Sequence, residues 1–241
     1  AFNSVTSNSA NITWNIGCVE TAWEIEYGPA GFALGTGTTV AATSPYALGS
    51  LSSATAYDVY VRANCGINGV SASVGPVNFT TLPPPPSNDE CANATNLTVN
   101  TDYACGSVTA GTIASATASA EANSCFGTDD DDVWYTFTAT STAHRVSLIN
   151  ITGSTSDMMM AISSGSCGSL TSVLCSDPET ANLTGLTIGV VYTVRVYTYT
   201  TTPGQTSSFN ICVGTPPPPP ANDLCANAIA VGCNTITNAT T

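Results

Sequence analysis

The sequence predicts an all-β protein made of tandem β-sandwiches joined by polyproline linkers. Three observations support this prediction: short segments rich in β-branched and aromatic residues, such as residues 190–200, clusters of Gly, Ser, Asn and Pro between them, and no convincing 3.6-residue apolar period. β-Branched and aromatic side chains fit the pleated surface of a strand, whereas the separating residues favour turns. Many short strands with frequent turns are typical of sandwiches.

Eight segments have the composition and alternation of strands. They are residues 11–14, 22–27, 56–63, 133–140, 145–151, 158–163, 190–200 and 208–213. Met158, Met159 and Met160 are expected to fill a core, because methionine adapts to irregular apolar space. The Ala-rich residues 114–122 are the only helical candidate, and their Ser and Thr content disfavours a helix.

The charge balance excludes several functions. The 241 residues include 16 acidic side chains, three arginines and no lysine, and the formal net charge is −13. Binding to nucleic acid or to anionic membranes needs clustered cations, and phosphate-loop and Schiff-base chemistry need a lysine. The sequence contains no run of 18 apolar residues. We therefore expect no nucleic-acid partner and no membrane span.

Two proline runs, at residues 83–86 and 216–220, divide the chain. Such runs favour polyproline II and act as semi-rigid spacers. The signature Asn-Asp-x-Cys-Ala-Asn-Ala follows each run, at residues 88–94 and 222–228, and predicts an internal repeat. The predicted division is a first sandwich at 1–82, a linker at 83–86, a second sandwich at 87–215, a linker at 216–220, and at 221–241 either the start of a second such unit or an intermolecular strand.

The first unit contains Leu51, then Tyr57 six residues later, then alternating valines. This is the tyrosine-corner pattern of a sandwich. Together with Ile-Thr-Trp at 12–14 and Trp-Glu-Ile-Glu-Tyr-Gly at 23–28, it resembles a fibronectin type III domain over residues 1–82. Such domains usually begin with a short strand, and little sequence precedes Phe2. The resemblance therefore implies that the first strand is missing or truncated.

The second unit also carries a tyrosine corner, Leu186 followed by Tyr192. Its motifs are Asn-Asp-Glu-Cys at 88–91, Asp-Val-Trp-Tyr-Thr-Phe at 132–137 and Ser-Gly-Ser-Cys-Gly-Ser-Leu at 164–170. With these motifs it resembles the bacterial pre-peptidase C-terminal family, as found in repeat modules of secreted Bacteroidota surface proteins. The resemblance implies a non-catalytic accessory module, an extracellular or cell-surface location and type IX secretion.

Ten cysteines without a Cys-x2-Cys pair predict disulfides rather than zinc sites. Cys18 and Cys65 are expected to pair in the first unit. The six cysteines of the second unit allow 15 pairings. If the two copies of the repeat are alike, a local pair forms in each copy. Cys167 and Cys175 bracket a short loop and are expected to pair, which leaves Cys125 with Cys212. The expected set is Cys91–Cys105, Cys225–Cys233, Cys167–Cys175 and Cys125–Cys212.

Four adjacent carboxylates, Asp129, Asp130, Asp131 and Asp132, form the densest charge cluster. A solvated acidic loop is favoured over structural calcium, since the glycine and distal glutamate of an EF-hand are absent. The only histidine, His144, has no catalytic signature around it and is expected at the surface. No other metal or cofactor is predicted.

Aromatic residues and hydroxyls suggest two weaker hypotheses. Trp134, Tyr197 and Tyr199 are expected to fill the core or a sheet edge, with a sugar-stacking platform as the alternative. Asn-x-Ser/Thr sequons and threonines beside the proline runs are possible glycan sites that would help a weakly charged surface stay soluble. These sites are Asn11, Asn78, Asn93, Asn96, Asn150, Asn182, Asn238, Thr80, Thr81 and Thr215.

The leading functional hypothesis is a structural and interaction module of an extracellular filament or adhesin stalk that binds copies of itself. Residues 228–231 and 235–237 alternate like a strand, so the tail is expected to complete a neighbour's sandwich by strand addition. Two alternatives stay open: a slice of a long tandem-repeat adhesin, and glycan-binding accessory domains of a secreted hydrolase. No catalytic set is visible, so no enzyme is predicted.

Overall fold

The computed structural model describes residues 1–16, 20–202, 204–218, 220, 222 and 225–228. Seven strands form two antiparallel sheets in the first part of the chain, in the orders β1-β2-β5 and β4-β3-β6-β7. The strands are β1 (Phe2–Val5), β2 (Ala10–Ile12), β3 (Trp23–Pro29), β4 (Thr38–Ala42), β5 (Tyr46–Leu48), β6 (Ala56–Ala63) and β7 (Val74–Thr80).

Both sheets contribute to the core of this first sandwich. Ala10 and Ile12 of β2 are buried in one cluster with Ile25 of β3 and Val59 of β6. Because side chains alternate across a strand, one face of each sheet supplies these residues. Burial of the two inner faces holds the sheets together.

The first strand was expected to be missing or truncated, but it is present as β1. β1 pairs with β2 in antiparallel register, with Phe2 opposite Ile12. Its alternation is hidden in the sequence because the register shifts between Asn3 and Val5, where Ser4 has a φ of 55°. A bulge of this kind places two residues opposite one and breaks the period of two.

Ten strands form two sheets in the second part of the chain. One sheet has the order β10-β17-β12-β15 with β9 added in parallel to β17, and the other has the order β14-β13-β16-β11-β8. The strands are β8 (Thr95–Asn96), β9 (Val99–Asn100), β10 (Thr109–Thr112), β11 (Val133–Thr138), β12 (Ala143–Thr152), β13 (Met158–Ser166), β14 (Ser169–Ser176), β15 (Thr180–Thr184), β16 (Val191–Thr198) and β17 (Ser208–Gly214).

The centre of the second sandwich is buried on both faces. Met158 and Met160 join the main core, whereas Met159 packs with Tyr197 on the opposite face, where Cys125 also contacts them. All three methionines are fully buried, which confirms their predicted role in the core. The second face is covered because a long connection between β10 and β11 lies over it.

Both predicted tyrosine corners are confirmed. The Ser52 backbone N–H donates to the Tyr57 hydroxyl at 2.9 Å, and the Thr187 N–H donates to the Tyr192 hydroxyl at 3.0 Å. The leucine six residues before each tyrosine is also buried. In each sandwich the hydroxyl fixes the entry of the chain into a central strand, which is the role of this motif.

The predicted all-β class is confirmed. The strand predicted at 56–63 matches β6, and the segment at 158–163 lies within the longer β13. Residues 114–122 do not form a helix, because Thr117 and Ser119 donate to carboxylates of other segments. No helix among the described residues is long and apolar enough to cross a membrane.

Candidate functional site

The repeated signature begins a segment, residues 88–100, that we call the strap. The Trp134 N–H donates to the Asn88 carbonyl at 2.8 Å, and the Asn88 amide donates back to the Trp134 carbonyl at 2.9 Å. The Asp89 carboxylate accepts from both the N–H and the hydroxyl of Thr117 at 2.7 Å. Cys91 is bonded to Cys167 in the β13–β14 turn. The signature is therefore an anchor of the second sandwich.

The strap continues into both sheets. β8 runs parallel to β11, with Thr95 opposite Tyr135, and β9 runs parallel to β17, with Val99 opposite Val213. Between them Leu97 is buried in the core, and its N–H donates to Thr136. The strap thus adds one short strand to each sheet and one apolar side chain between them.

Asp131 and Asp132 of the acidic cluster are buried and Asp129 and Asp130 are half-buried, so the expected solvated loop is wrong. Asp132 is fully buried and accepts from the N–H and hydroxyl of Ser119, and the Arg195 Nε donates to it at 2.7 Å. Asp131 accepts from the N–H and hydroxyl of Thr198. Asp129 pairs with the Arg195 Nη2 at 2.7 Å. The hydrogen-bond donors lie in distant parts of the sequence, so the four adjacent aspartates alone give no indication of them.

Burial is the main influence on the Asp131 carboxyl group. Burial raises the pKa of Asp131, and the two hydrogen bonds from Thr198 oppose that rise. The Arg195 guanidinium lies 4.9 Å from the centre of the Trp134 ring, and the Trp134 Nε1 donates to the Ser119 hydroxyl. The network joins the β10–β11 connection to β16, and its carboxylates are used in structural contacts.

The carboxylates of the cluster do not converge as metal ligands. Within the described ranges, the one group of three convergent acidic or thiol ligands is Cys91, Glu121 and Cys167. The two sulfurs of that group are bonded to each other and offer no thiolate. Calcium at Asp129, Asp130, Asp131 or Asp132, the less favoured alternative from the sequence, stays untested.

His144 is buried rather than at the surface, which corrects the sequence-based expectation. Its Nε2 accepts from the N–H groups of Thr140 and Ser141, at 3.0 and 3.1 Å. Its Nδ1 lies 3.2 Å from the Gly214 carbonyl, so the neutral ring with the proton on Nδ1 satisfies every contact. Burial lowers the pKa of His144, and the Gly214 carbonyl opposes that shift. The ring fixes the end of β17.

The core reading is confirmed for two of the three aromatic residues. Trp134 and Tyr197 are buried, so they cannot stack on a sugar. Tyr199 is 47 % exposed, and the Tyr197 hydroxyl donates to the carbonyl of Phe126, which is 72 % exposed. Phe126 escaped the sequence-based choice because it lies in a loop without strand alternation.

All six cysteines of the second sandwich form disulfides, but the expected pairs are wrong. The bonds are Cys91–Cys167, Cys105–Cys212 and Cys125–Cys175. Cys167 lies in the β13–β14 turn and Cys175 lies far along β14, so several residues at about 3.3 Å each separate them. Cys105 reaches β17 because β9 pairs with that strand. Cys18 and Cys233 lie outside the described residues, so Cys18–Cys65 and Cys225–Cys233 stay predictions.

An apolar groove of about 410 Å³ opens between the two sheets of the first sandwich. Its floor and rim include Phe2, Trp14, Trp23, Val61, Val74 and Val77. Val74 and Val77 are exposed, and the Trp14 Nε1 is buried without a hydrogen-bond partner. The flanking strands β1 and β7 each pair on one side only among the described strands. The groove therefore has the apolar lining and unpaired edges that suit an added strand.

The second sandwich carries a shallow basin of about 610 Å³ on its β10–β17 face. Asn88, Asn150, Asn210 and Ser208 supply amides and a hydroxyl, and Gly111 and Phe209 complete the lining. Tyr135 lies beneath Gly111, where its hydroxyl occupies the space that a side chain at residue 111 would need. Burial raises the pKa of Tyr135 to about 12. The basin is rich in uncharged hydrogen-bonding groups.

The predicted glycan sites differ in accessibility. Thr81 is buried, donates to the Ser52 carbonyl and accepts from the Thr55 N–H, so an O-glycan there is excluded in the folded sandwich. Asn11 and Thr215 are half-buried, and Asn238 lies outside the described residues. The exposed sites are Asn78, Asn93, Asn96, Asn150, Asn182 and Thr80.

Sequence reasoning missed Thr117 and Ser119, which contact Asp89 of the strap, and Arg195, which pairs with the acidic cluster. Thr117 and Ser119 lie in an irregular connection, and Arg195 lies in the middle of a strand. The available signal was an arginine on a strand made otherwise of apolar and β-branched residues. Because a charge is buried only when it is paired, Arg195 indicated a buried acidic partner.

Comparison with solved structures gives weak likenesses. A two-domain fibronectin type III segment from chicken tenascin is 10% identical, covers 88% of this chain and 95% of its own, and has a TM-score of 0.28. A structure describing promiscuous carbohydrate-binding modules of the β-sandwich superfamily is 10% identical, covers 88% of each chain and has a TM-score of 0.24. Neither TM-score is high enough to carry an argument. A search of curated proteins found no match.

Comparison with family models is more informative. Residues 87–211 match a type IX secretion-associated family described as galactose binding domain-like. This supports the expected association with type IX secretion, whereas the expected pre-peptidase C-terminal family is not the one that matches. The match spans just over half of the chain. The chain therefore belongs to the galactose-binding domain-like family associated with type IX secretion.

Proposed function

We propose that the chain is a non-catalytic structural and interaction module of a bacterial extracellular filament or adhesin stalk. The observation that carries this proposal is the second copy of the strap signature. Cys225–Asn227 forms the same short 3₁₀ turn as Cys91–Asn93, and it follows a second proline run. Family membership and three disulfides support a secreted, extracellular setting.

In this proposal the tail connects the chain to the next unit by strand addition. A strap contributes strands to two sheets, so a strap carried on one unit and inserted in another would link them mechanically. The next unit is either a neighbouring copy, giving head-to-tail polymers, or a further sandwich in a long tandem-repeat adhesin. Residues 83–86 and 216–220 are proposed to act as polyproline spacers between units.

The assembly test uses the full chain at increasing concentration. We expect light scattering after size exclusion and negative-stain microscopy to show linear oligomers. Deletion of residues 222–241 should abolish the oligomers, whereas deletion of residues 235–241, beyond the strap-like part, should retain them. Monomers at all concentrations, or equal masses for all three chains, would contradict polymerisation.

Glycan binding by the second sandwich is a second candidate function. The family match and the amide-rich basin around Asn88, Asn150 and Asn210 favour it. Amides and hydroxyls are the groups that orient an uncharged polar ligand. A glycan array with the full chain should give hits that weaken in Asn210→Ala and persist in Asn182→Ala, which changes an exposed asparagine on another strand. Equal weakening in both variants would count against the basin.

Glycans attached to the chain itself form a further part of the proposal. The exposed sequons Asn78, Asn93, Asn96, Asn150 and Asn182 are the proposed carriers, together with Thr80. Such glycans would hydrate a surface that has few charges. The intact mass of the protein from its native source should exceed the mass of the polypeptide. Equal masses would contradict the proposed glycosylation.

A further inference from the structure

The chain carries the strap signature twice, at residues 88–94 and 222–228, but its described residues form one seat. We call the seat the surface that the strap of residues 88–100 occupies on the second sandwich. The seat offers the Trp134 backbone to Asn88, the Thr117 N–H and hydroxyl to Asp89, and the Cys167 sulfur to Cys91. Because residues 88–100 fill this seat, the second strap needs a seat elsewhere.

The tail reproduces the anchoring chemistry in register. Aligning Asn222 with Asn88 places Asp223 at the position of Asp89, Cys225 at that of Cys91, and Val231 at that of the buried Leu97. The turn is also preserved: Ala228 N–H donates to Cys225 at 3.2 Å, as Ala94 does to Cys91 at 3.1 Å. Each anchoring residue of the first strap therefore has a residue of similar chemistry at the aligned position of the tail.

The tail matches this seat better than it matches the groove of the first sandwich. The seat selects an amide, a carboxylate, a thiol and an apolar side chain at fixed spacing, and the tail carries all four. The groove is lined mainly by apolar side chains, with Glu20 and Arg62 among its polar residues, and the described lining contains no cysteine that could bond to Cys225. Polar groups placed at fixed positions give specificity, because a wrong partner leaves them unpaired.

We infer that residues 222–234 insert into the seat of another second-type sandwich, and that Cys225 bonds to the cysteine at the Cys167 position there. This inference rests on the proposed connecting function and names its partner surface. Cys225 is exposed and is bonded to no described cysteine. In this sequence alignment Cys233 corresponds to Val99 and not to a cysteine. The expected Cys225–Cys233 pair therefore has no counterpart in the first strap.

The bond forms by thiol–disulfide exchange with a disulfide oxidant. The Cys225 and Cys167-position thiols lose two protons and two electrons to become one S–S bond, and the oxidant is reduced to two thiols. The bond would close the link covalently in an oxidising compartment. In the test below, oxidised glutathione serves as the oxidant.

The test mixes two forms of the full chain. The acceptor carries N88A, D89A, C91S and C225S, which frees Cys167 and loosens the native strap. The donor is the isotope-labelled unsubstituted chain. After incubation in a glutathione buffer, digestion with pepsin and mass spectrometry identify the disulfides. We expect a Cys225–Cys167 bond between donor and acceptor, and about a tenfold lower yield from a donor carrying D223A, because a charge-assisted hydrogen bond is lost.

A donor that carries C18S provides a matched control, because its Cys65 is exposed, lies in the other sandwich and cannot form the predicted bond to Cys18. If Cys167 bonds to Cys65 as often as to Cys225, or if donor Cys225 is found bonded to Cys233, the inference is wrong. A second acceptor with only C91S and C225S guards against misfolding and should give the same bond in lower yield. Absence of the bond in both folded acceptors also overturns the inference.

This result is separable from the assembly test. An unsubstituted chain whose own straps fill every seat could remain monomeric while the loosened acceptor still captures the tail. In that case polymerisation of copies fails and the strap–seat inference stands, with the tandem-repeat form of the function favoured. Oligomers without the Cys225–Cys167 bond would support assembly through another surface and would reject the inference.

Discussion

The two sandwiches share an architecture but are stabilised by different means. Each has two packed sheets and a tyrosine corner, yet the core cluster of the first contains nine buried apolar residues and that of the second contains twenty within the described ranges. Three long-range disulfides and a buried Arg195 network add to the second. The only ion pair described in the first, Arg62 with Glu24, is partly exposed.

The difference follows from how each sandwich is closed. The described strands of the first are all antiparallel to their neighbours, whereas the second adds β8 and β9, strands of two residues each, in parallel to β11 and β17. A strand that pairs over only two residues buries little surface, so further interactions are needed to hold it against the sheet. The Cys91–Cys167 disulfide and the hydrogen bonds of Asn88 and Asp89 supply these interactions.

The largest expected effect that sharpens this comparison comes from the disulfide with the widest sequence separation. Cys105–Cys212 joins residues 107 apart, and removing it with C105A and C212A should lower the free energy of unfolding of the second sandwich by about 4 kcal/mol. Differential scanning calorimetry should show the transition of the second sandwich moving to lower temperature. The unfolding temperature of the first sandwich should not change. A shift of both transitions would contradict the idea that the two sandwiches are stabilised independently.

The two ion pairs offer a matched test of burial. The Arg195 side chain is 3% exposed and its removal leaves Asp129 and Asp132 uncompensated, so Arg195→Met should cost about 3–5 kcal/mol. The Arg62 side chain is 33% exposed, and Arg62→Met should cost less than about 1 kcal/mol in the first sandwich. Urea unfolding measures both. Equal costs would show that burial does not distinguish the pairs.

The tyrosine corners should behave alike in the two sandwiches. Tyr57→Phe and Tyr192→Phe each remove the acceptor of one backbone N–H, so each should cost about 1 kcal/mol. Calorimetry should show each variant shifting its own transition only. A much larger cost at Tyr192 would indicate that the corner of the second sandwich supports more than one local hydrogen bond.

The tyrosine corners and the acidic cluster show what the sequence could predict and why. Leu186 and Tyr192 are close in sequence and obey a local rule, so the corner and the strand that follows it were predictable. Asp132 finds its donors at Ser119 and Arg195, which lie 13 and 63 residues away, and no local pattern reveals such partners. The disulfides failed for the same reason: pairing follows sheet order, whereas the prediction assumed closeness along the chain.

A smaller effect is expected from pH, and it should fall on the second sandwich alone. Burial lowers the pKa of His144 below its unfolded value of about 6.5. The unfolded chain then binds a proton that the folded chain does not, so stability is complete above about pH 6.5 and falls as the pH drops. The second transition should move down between about pH 7.5 and 5.5, and less so in His144→Gln. Asp131, whose pKa is raised by burial, acts in the opposite direction in both chains, so an equal pH dependence in the unsubstituted chain and in His144→Gln would contradict the assignment of the neutral ring.

The smallest expected effect concerns calcium at the acidic cluster. The oxygens of Asp131 and Asp132 already accept hydrogen bonds from Thr198, Ser119 and Arg195, and a calcium ion requires six to eight oxygens. Binding would have to displace these donors, and Arg195 would then lie beside the ion as a like charge. We therefore expect the same transition temperatures with millimolar calcium and with a chelator. A calcium-dependent rise confined to the second transition, and absent in Asp130→Asn, would instead locate a cation there and show that the network rearranges around it.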